Sequence, residues 1–192
     1  MFDVTPITSA KELDCGPTCL KMLLGWYGID VPLDQLIDEC GTRAVGCSGA
    51  DLLRAARLHG LGEVMAFKMD ADELMRQDRP AIIHWKFRHW CVFAGCDTDG
   101  RVAVCNPDRG RFRMDPGTFA ALYTGVAIFN GDPVDLLPTS ETNHAAGEVF
   151  EQAGNLWRAV TAIVRGEQIR EGINATRLTV ADILQEIESK EQ

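Results

Sequence analysis

Apolar residues return at helical spacing at Cys19, Leu20, Leu23, Leu24 and Tyr27. They form one stripe on a first helix that Asp14 is expected to cap, Cys15 to Pro17 to open and Gly28 to end. Pro17 suits the first turn, where its missing N–H has no intrahelical partner. Shorter helices are predicted over residues 33–40 and 50–58, the latter behind a Gly46-Cys47-Ser48-Gly49 turn with Ser48 as its cap. The pattern then changes to short β-rich runs over 64–67, 80–85, 90–95, 102–105, 112–114 and 125–129. A helical turn at 71–76 and a helix at 116–123 interrupt them. Asp97-Thr98-Asp99-Gly100 reads as a hairpin connection, with Gly100 supplying the positive φ. Helices first and an antiparallel sheet second predict an α+β fold rather than alternating βα units.

The texture shifts once more near Asp132. Residues 133–145 contain Pro133, Pro138 and several polar side chains, as a linker would after a first domain of 1–132. Helical periodicity resumes at 147–164, with Val149, Ala153, Leu156, Val160 and Val164 on one stripe, and again at 179–190. Two such helices bury too little to stand alone. A C-terminal helical extension over 146–192 is therefore expected to cover the first domain, to dock a partner or to form a homo-oligomer.

Composition narrows the class. With 192 residues, 46% hydrophobic and 24% charged, the chain has room for one core and an appendage. A net charge of −9 disfavours nucleic-acid binding, which needs a clustered basic face. No apolar run approaches the roughly 20 residues of a membrane span. The start, Met-Phe-Asp-Val-Thr-Pro, lacks the basic and apolar regions of a secretory signal, so a cytoplasmic location is expected. Seven cysteines, an odd number, point to reduced thiols rather than a disulfide framework. Cys15-x3-Cys19 and Cys91-x4-Cys96 miss the tight Cys-x-x-Cys knuckle, and Cys19 falls on the apolar stripe. Neither a metal nor a cofactor is expected.

The densest chemical signal is Asp14-Cys15-Gly16-Pro17-Thr18-Cys19-Leu20. A cysteine at a helix N-terminus meets the positive end of the dipole and unpaired amides, which favour the thiolate. The same amides suit an oxyanion, and Gly16 leaves backbone room for a substrate. The alternative is a buried structural cysteine. His84 and His89 flank Trp85-Lys86-Phe87-Arg88, and His89 opens an apolar strand, where a base is held well for proton transfer. His84 ends the preceding strand without an orienting residue at hairpin distance, so His89 is preferred. Asn106, one hairpin later, is placed to accept the Nδ1 proton of His89 and fix its tautomer. Trp85, Phe87 and Trp90 are expected to line the cleft.

Three blocks together resemble the bacteriocin-processing, double-glycine leader cysteine peptidases, which have a papain-like fold. The segment from Asp14 to Met22 is similar to their nucleophile motif, Pro80 to Phe93 to their histidine block, and Cys105-Asn106-Pro107-Asp108-Arg109-Gly110 to their Asp-Pro-x-x-Gly turn. The resemblance implies Cys15 as nucleophile, His89 as general base and acid, and Asn106 as the orienting residue. It also implies a papain-like domain in which N-terminal helices pack on an antiparallel sheet. Two positions depart from the pattern: Asn106 stands where the family has aspartate, and Ser9 where it has an oxyanion glutamine. Many relatives continue into an exporter, whereas this sequence has neither a membrane span nor a Gly-x-x-x-x-Gly-Lys-Ser/Thr loop. The expectation is a stand-alone thiol endopeptidase acting on a peptide or protein, a leader peptide among the substrates implied. A cleft that binds such a peptide without cutting it, and acyl transfer by the same triad, remain alternatives.

Overall fold

In a computed structural model the described residues are 1–132 and 134, apart from 10 and 43–45. The linker expected over 133–145 (residue 134 excepted) and the helical extension expected over 146–192 lie outside the described residues. A 3-10 turn, Glu12–Asp14, runs directly into the first helix, α1 (Cys15–Trp26). That turn corrects the expectation for Asp14. Its backbone, at φ −93° and ψ 10°, is not the extended one a capping side chain needs, and Asp14 makes no side-chain cap bond. The apolar stripe is as predicted, with Cys19, Leu20, Leu23 and Leu24 wholly buried. Gly28 ends α1 at φ 76°, its N–H bonded to Gly25 O, a left-handed stop that a side chain would resist.

Helices α2 (Leu33–Glu39) and α3 (Gly49–Leu58) follow. Ser48 does cap α3: its hydroxyl accepts from Asp51 N–H while the Asp51 carboxylate accepts from Ser48 N–H. The strands are β1 (Val64–Lys68), β2 (Ala81–Trp85), β3 (His89–Cys96), β4 (Val102–Asn106), β5 (Gly110–Met114) and β6 (Tyr123–Asn130). Two short helices, α4 (Ala71–Met75) and α5 (Pro116–Leu122), are interleaved with them. All five pairings are antiparallel, in the order β1-β6-β2-β3-β4-β5.

The sheet is buried on both faces, which is why its central strands read as continuous apolar runs rather than alternating ones. Within β3, Trp90, Val92 and Ala94 join the core beneath α1, α2 and α3, while Cys91 and Phe93 join a second core with Phe67, Phe119 and Phe129. Register does the rest. Val92 pairs with Cys105, so the first residue of β3 and the last of β4 fall at the same end of the sheet. Those residues are His89 and Asn106, and α1 starts beside them.

Candidate active site

Cys15 is the first residue of α1 and only 7% exposed. Burial pushes its thiol up from the ordinary value, outweighing the Trp90 and Gly16 backbone N–H groups that hydrogen-bond the sulfur and act in the opposite direction. The amides at the helix start lower it as expected, but burial is the larger influence. A base beside it would favour the thiolate. The Trp90 amide also fixes the sulfur against the start of β3, one residue beyond His89.

His89 Nε2 lies 3.0 Å from Asn106 Oδ1, and the same oxygen accepts the Asp108 backbone N–H at 2.8 Å. Two donors converge on that atom, so it is the acceptor end of the amide and the imidazole carries its proton on Nε2. This corrects the expected nitrogen. The buried amide sits across on β4, and Nε2, the ring nitrogen farther from the backbone, is the one that bridges to it. Nδ1 is left as the basic nitrogen. The turn before His89 is strained: Arg88 has φ 64°, a left-handed conformation that costs a non-glycine residue about 1–2 kcal/mol.

His84 serves the fold. Its Nδ1 is 3.1 Å from Thr124 Oγ1, whose hydroxyl donates to His84 O at 3.0 Å, and its ring meets the edge of Trp90 at 4.8 Å. Burial foremost, then Arg88 and His89, lowers its pKa from 6.5 to about 4. The unfolded chain therefore binds a proton between those values that the folded chain refuses. Stability is full above pH 6.5 and falls as pH drops toward 4, by about 3 kcal/mol from this residue. Urea unfolding at pH 7 and pH 4.5 should show that loss, and His84→Gln should flatten it.

Of the residues expected at the cleft, Gly16, Trp85 and Trp90 are buried. Gly16 gives its room to Cys47 rather than to solvent: a Cβ built there would meet Cys47 Sγ at 2.3 Å, Trp90 Cδ1 at 3.3 Å and Leu52 Cδ2 at 3.4 Å. The indole N–H of Trp90, 3% exposed, donates to Cys47 O, and Trp85, 8% exposed, packs in the second core with its ring 6.5 Å from that of His89. These residues support the site from beneath. The Phe87 side chain, also expected in the cleft, lies outside the described part. Gly16→Ala is expected to cost about 1–3 kcal/mol in thermal or urea unfolding, with Cys47→Ala in the same chain recovering most of it.

Ser9 is tied to the site through its backbone N–H, which donates to Pro107 O at 2.9 Å. Its hydroxyl is engaged locally, accepting from Lys11 N–H at 3.2 Å and donating to Lys11 O at 3.1 Å. One neighbour escaped the sequence reading. Asp108 Oδ2 stands 3.6 Å from His89 Nε2, with the carboxylate half exposed. Its only sequence signal was the two-residue spacing from Asn106, where an Asx turn folds the second residue back onto the first. All seven cysteines are unpaired, and among the described residues no cluster of three or more His, Cys, Asp or Glu side chains could hold a metal ion. No helix among the described residues is long and apolar enough to cross a membrane.

Residues 3–133 match the Peptidase C39 family. The colicin V secretion/processing ATP-binding protein of Escherichia coli is 28% identical over 125 residues, covering 65% of this chain and 18% of that protein. The chain thus spans about a fifth of the length of the curated relatives it matches. Among solved structures, a double glycine motif protease from an AMS/PCAT transporter, crystallised with the leader peptide, superposes with a TM-score of 0.61 at 29% identity. That likeness covers 65% of this chain and 89% of the other. The peptidase domain of Streptococcus ComA, a bi-functional ABC transporter, shows the same fold with a TM-score of 0.60 at 24% identity, over 66% of this chain and 96% of that domain.

Proposed function

The chain belongs to the Peptidase C39 family of cysteine peptidases, and on that premise we propose that it is an endopeptidase in which Cys15, His89 and Asn106 form the catalytic triad. The observation that carries the reading is the buried amide of Asn106, which takes the Nε2 proton and leaves Nδ1 to act as base. Nδ1 accepts the Cys15 proton as the sulfur attacks a peptide carbonyl. The resulting oxyanion draws on backbone N–H groups at the start of α1 and on the Ser9 hydroxyl once it leaves Lys11. The protonated His89 then gives its proton to the departing amine, and a thioester to Cys15 remains. Water, deprotonated by Nδ1, hydrolyses it and restores the thiol.

The substrate we assign is a peptide with a leader ending in two glycines, because the relative crystallised with a leader peptide shares the fold and is 29% identical over the matched part. Seven unpaired thiols suit a reducing compartment, which favours the cytoplasm as the place of reaction. The test is a synthetic peptide carrying an apolar leader, a Gly-Gly pair and a short cargo, followed by mass spectrometry. Wild type should release the cargo at the second glycine and Cys15→Ala should not. A wild-type chain that binds the peptide and leaves it whole would make this a recognition module instead.

A further inference from the structure

Asn106 performs only half of what a histidine base requires. An amide oxygen fixes the ring and its tautomer, but it carries no charge to stabilise the imidazolium that forms when Cys15 gives up its proton. The charge stands nearby. Among the described residues Asp108 is the carboxylate within 4 Å of the His89 ring, with Oδ2 at 3.6 Å from Nε2. At that distance it is an ion-pair partner and not a hydrogen-bond acceptor, so the Nε2 proton stays with Asn106.

The placement is built rather than incidental. The Asp108 N–H donates to the very oxygen that holds His89, the Arg109 N–H donates to Asn106 O, and Pro107 stiffens the residue between. Gly110, at φ 74°, then turns the chain into β5. One amide therefore sets both the ring and the backbone that carries the carboxylate. We propose that Asp108 is a positioning residue for charge: it stabilises the His89 imidazolium while Asn106 orients the ring, so that two residues share the third role of the triad. This rests on the Cys15–His89 assignment made above.

Other charged and titratable groups face the same ring. Cys15 approaches from the start of α1, His84 acts on it from β2, and Arg88 precedes it in the chain. The Arg88 guanidinium opposes an imidazolium, whereas His84, lowered to about 4, is neutral where His89 acts, so a carboxylate on the Nε2 side is the more consequential. Asp108 also pushes the Cys15 thiol up, but its contact is with the ring, and the sulfur lies beyond Nδ1 in the proposed geometry. Its net effect is to hold the proton on the pair, first on sulfur and then on His89. Half-exposed, the carboxylate is partly screened, and its effect is correspondingly modest.

The experiment is a pH titration of the full-length protein labelled with 15N in its histidine rings, with His89→Ala used for assignment. Asp108→Asn keeps the backbone N–H and the turn, so folding is not at issue. The His89 midpoint should fall by about half a unit to one unit in Asp108→Asn, and Asn106→Asp/Asp108→Asn, which moves the charge onto the orienting atom, should bring it back. His59, paired with Glu39 at 2.6 Å away from the site, should not move. With the Gly-Gly peptide, the acid limb of the kcat/KM profile, which reports His89 as the base, should shift to lower pH with Asp108→Asn and return in the double variant. A His89 midpoint unchanged within about 0.2 unit by Asp108→Asn overturns the proposal. If Cys15→Ala also leaves that midpoint untouched, the Cys15–His89 pairing fails and this proposal falls with it.

Discussion

Cys15→Ala is expected to reduce hydrolysis of the Gly-Gly peptide by a factor on the order of 10⁴–10⁶, and His89→Ala nearly as much. The two act as one unit. Burial pushes the Cys15 thiol up, so in the proposed mechanism the nucleophile depends on His89 to take its proton. The double variant should therefore be no worse than Cys15→Ala alone, far from the product of the two losses. Folding should be spared in the first case, because alanine removes one sulfur from a site already closed over by Trp90 and Cys47. Peptide binding measured on Cys15→Ala should remain close to wild type, which separates lost chemistry from lost recognition.

The second large effect is expected at Asn106. Its side-chain oxygen is buried and accepts from both His89 Nε2 and Asp108 N–H. Asn106→Ala removes the acceptor from both donors at once. The ring is then free to rotate or change tautomer, and kcat should fall by a factor on the order of 10² while KM stays within a few-fold. The orphaned Asp108 N–H adds a stability loss of about 1–2 kcal/mol, visible in urea unfolding. Asn106→Asp should behave differently, retaining the acceptor and most of the activity. Equal losses in both variants would mean that the amide serves packing rather than ring orientation.

Much of this site was legible in the residue pattern because local rules and tertiary structure agree there. The α1 stripe, the Ser48 cap and the Gly100 turn follow from periodicity and turn chemistry alone, and each is present in the fold. The chain order Cys15, His89, Asn106 required only that β3 and β4 form a hairpin, and they do. Where the two levels disagree, the wider structure prevails. Tyr123, expected at the end of a helix, instead starts β6, because it pairs across the sheet with Trp85. Gly110 and Arg111, poor strand formers, are drawn into β5 by register with Asn106 and Cys105. Asp14 cannot cap because a 3-10 turn already occupies the approach to α1.

The electrostatics were the least legible. A cysteine at a helix N-terminus suggests a low pKa, yet burial raises it, and residues distant in sequence, Trp90 and Cys47, close around that helix start at Gly16. Which imidazole nitrogen meets Asn106 depends on strand geometry that no local motif encodes. Asp108 was given no role by the residue pattern, and its place beside His89 comes from the hairpin register.

The most direct test of the central claim is site-resolved alkylation by limiting iodoacetamide between pH 6 and 9, in wild type and His89→Ala. The other six thiols serve as internal references, Cys47 and Cys96 being the more exposed among them. If His89 is the base for Cys15, the Cys15 adduct forms faster than the Cys47 adduct near pH 7, and His89→Ala slows it at least about tenfold without changing Cys47 or Cys96. A Cys15 rate that is the same in both proteins would contradict the account.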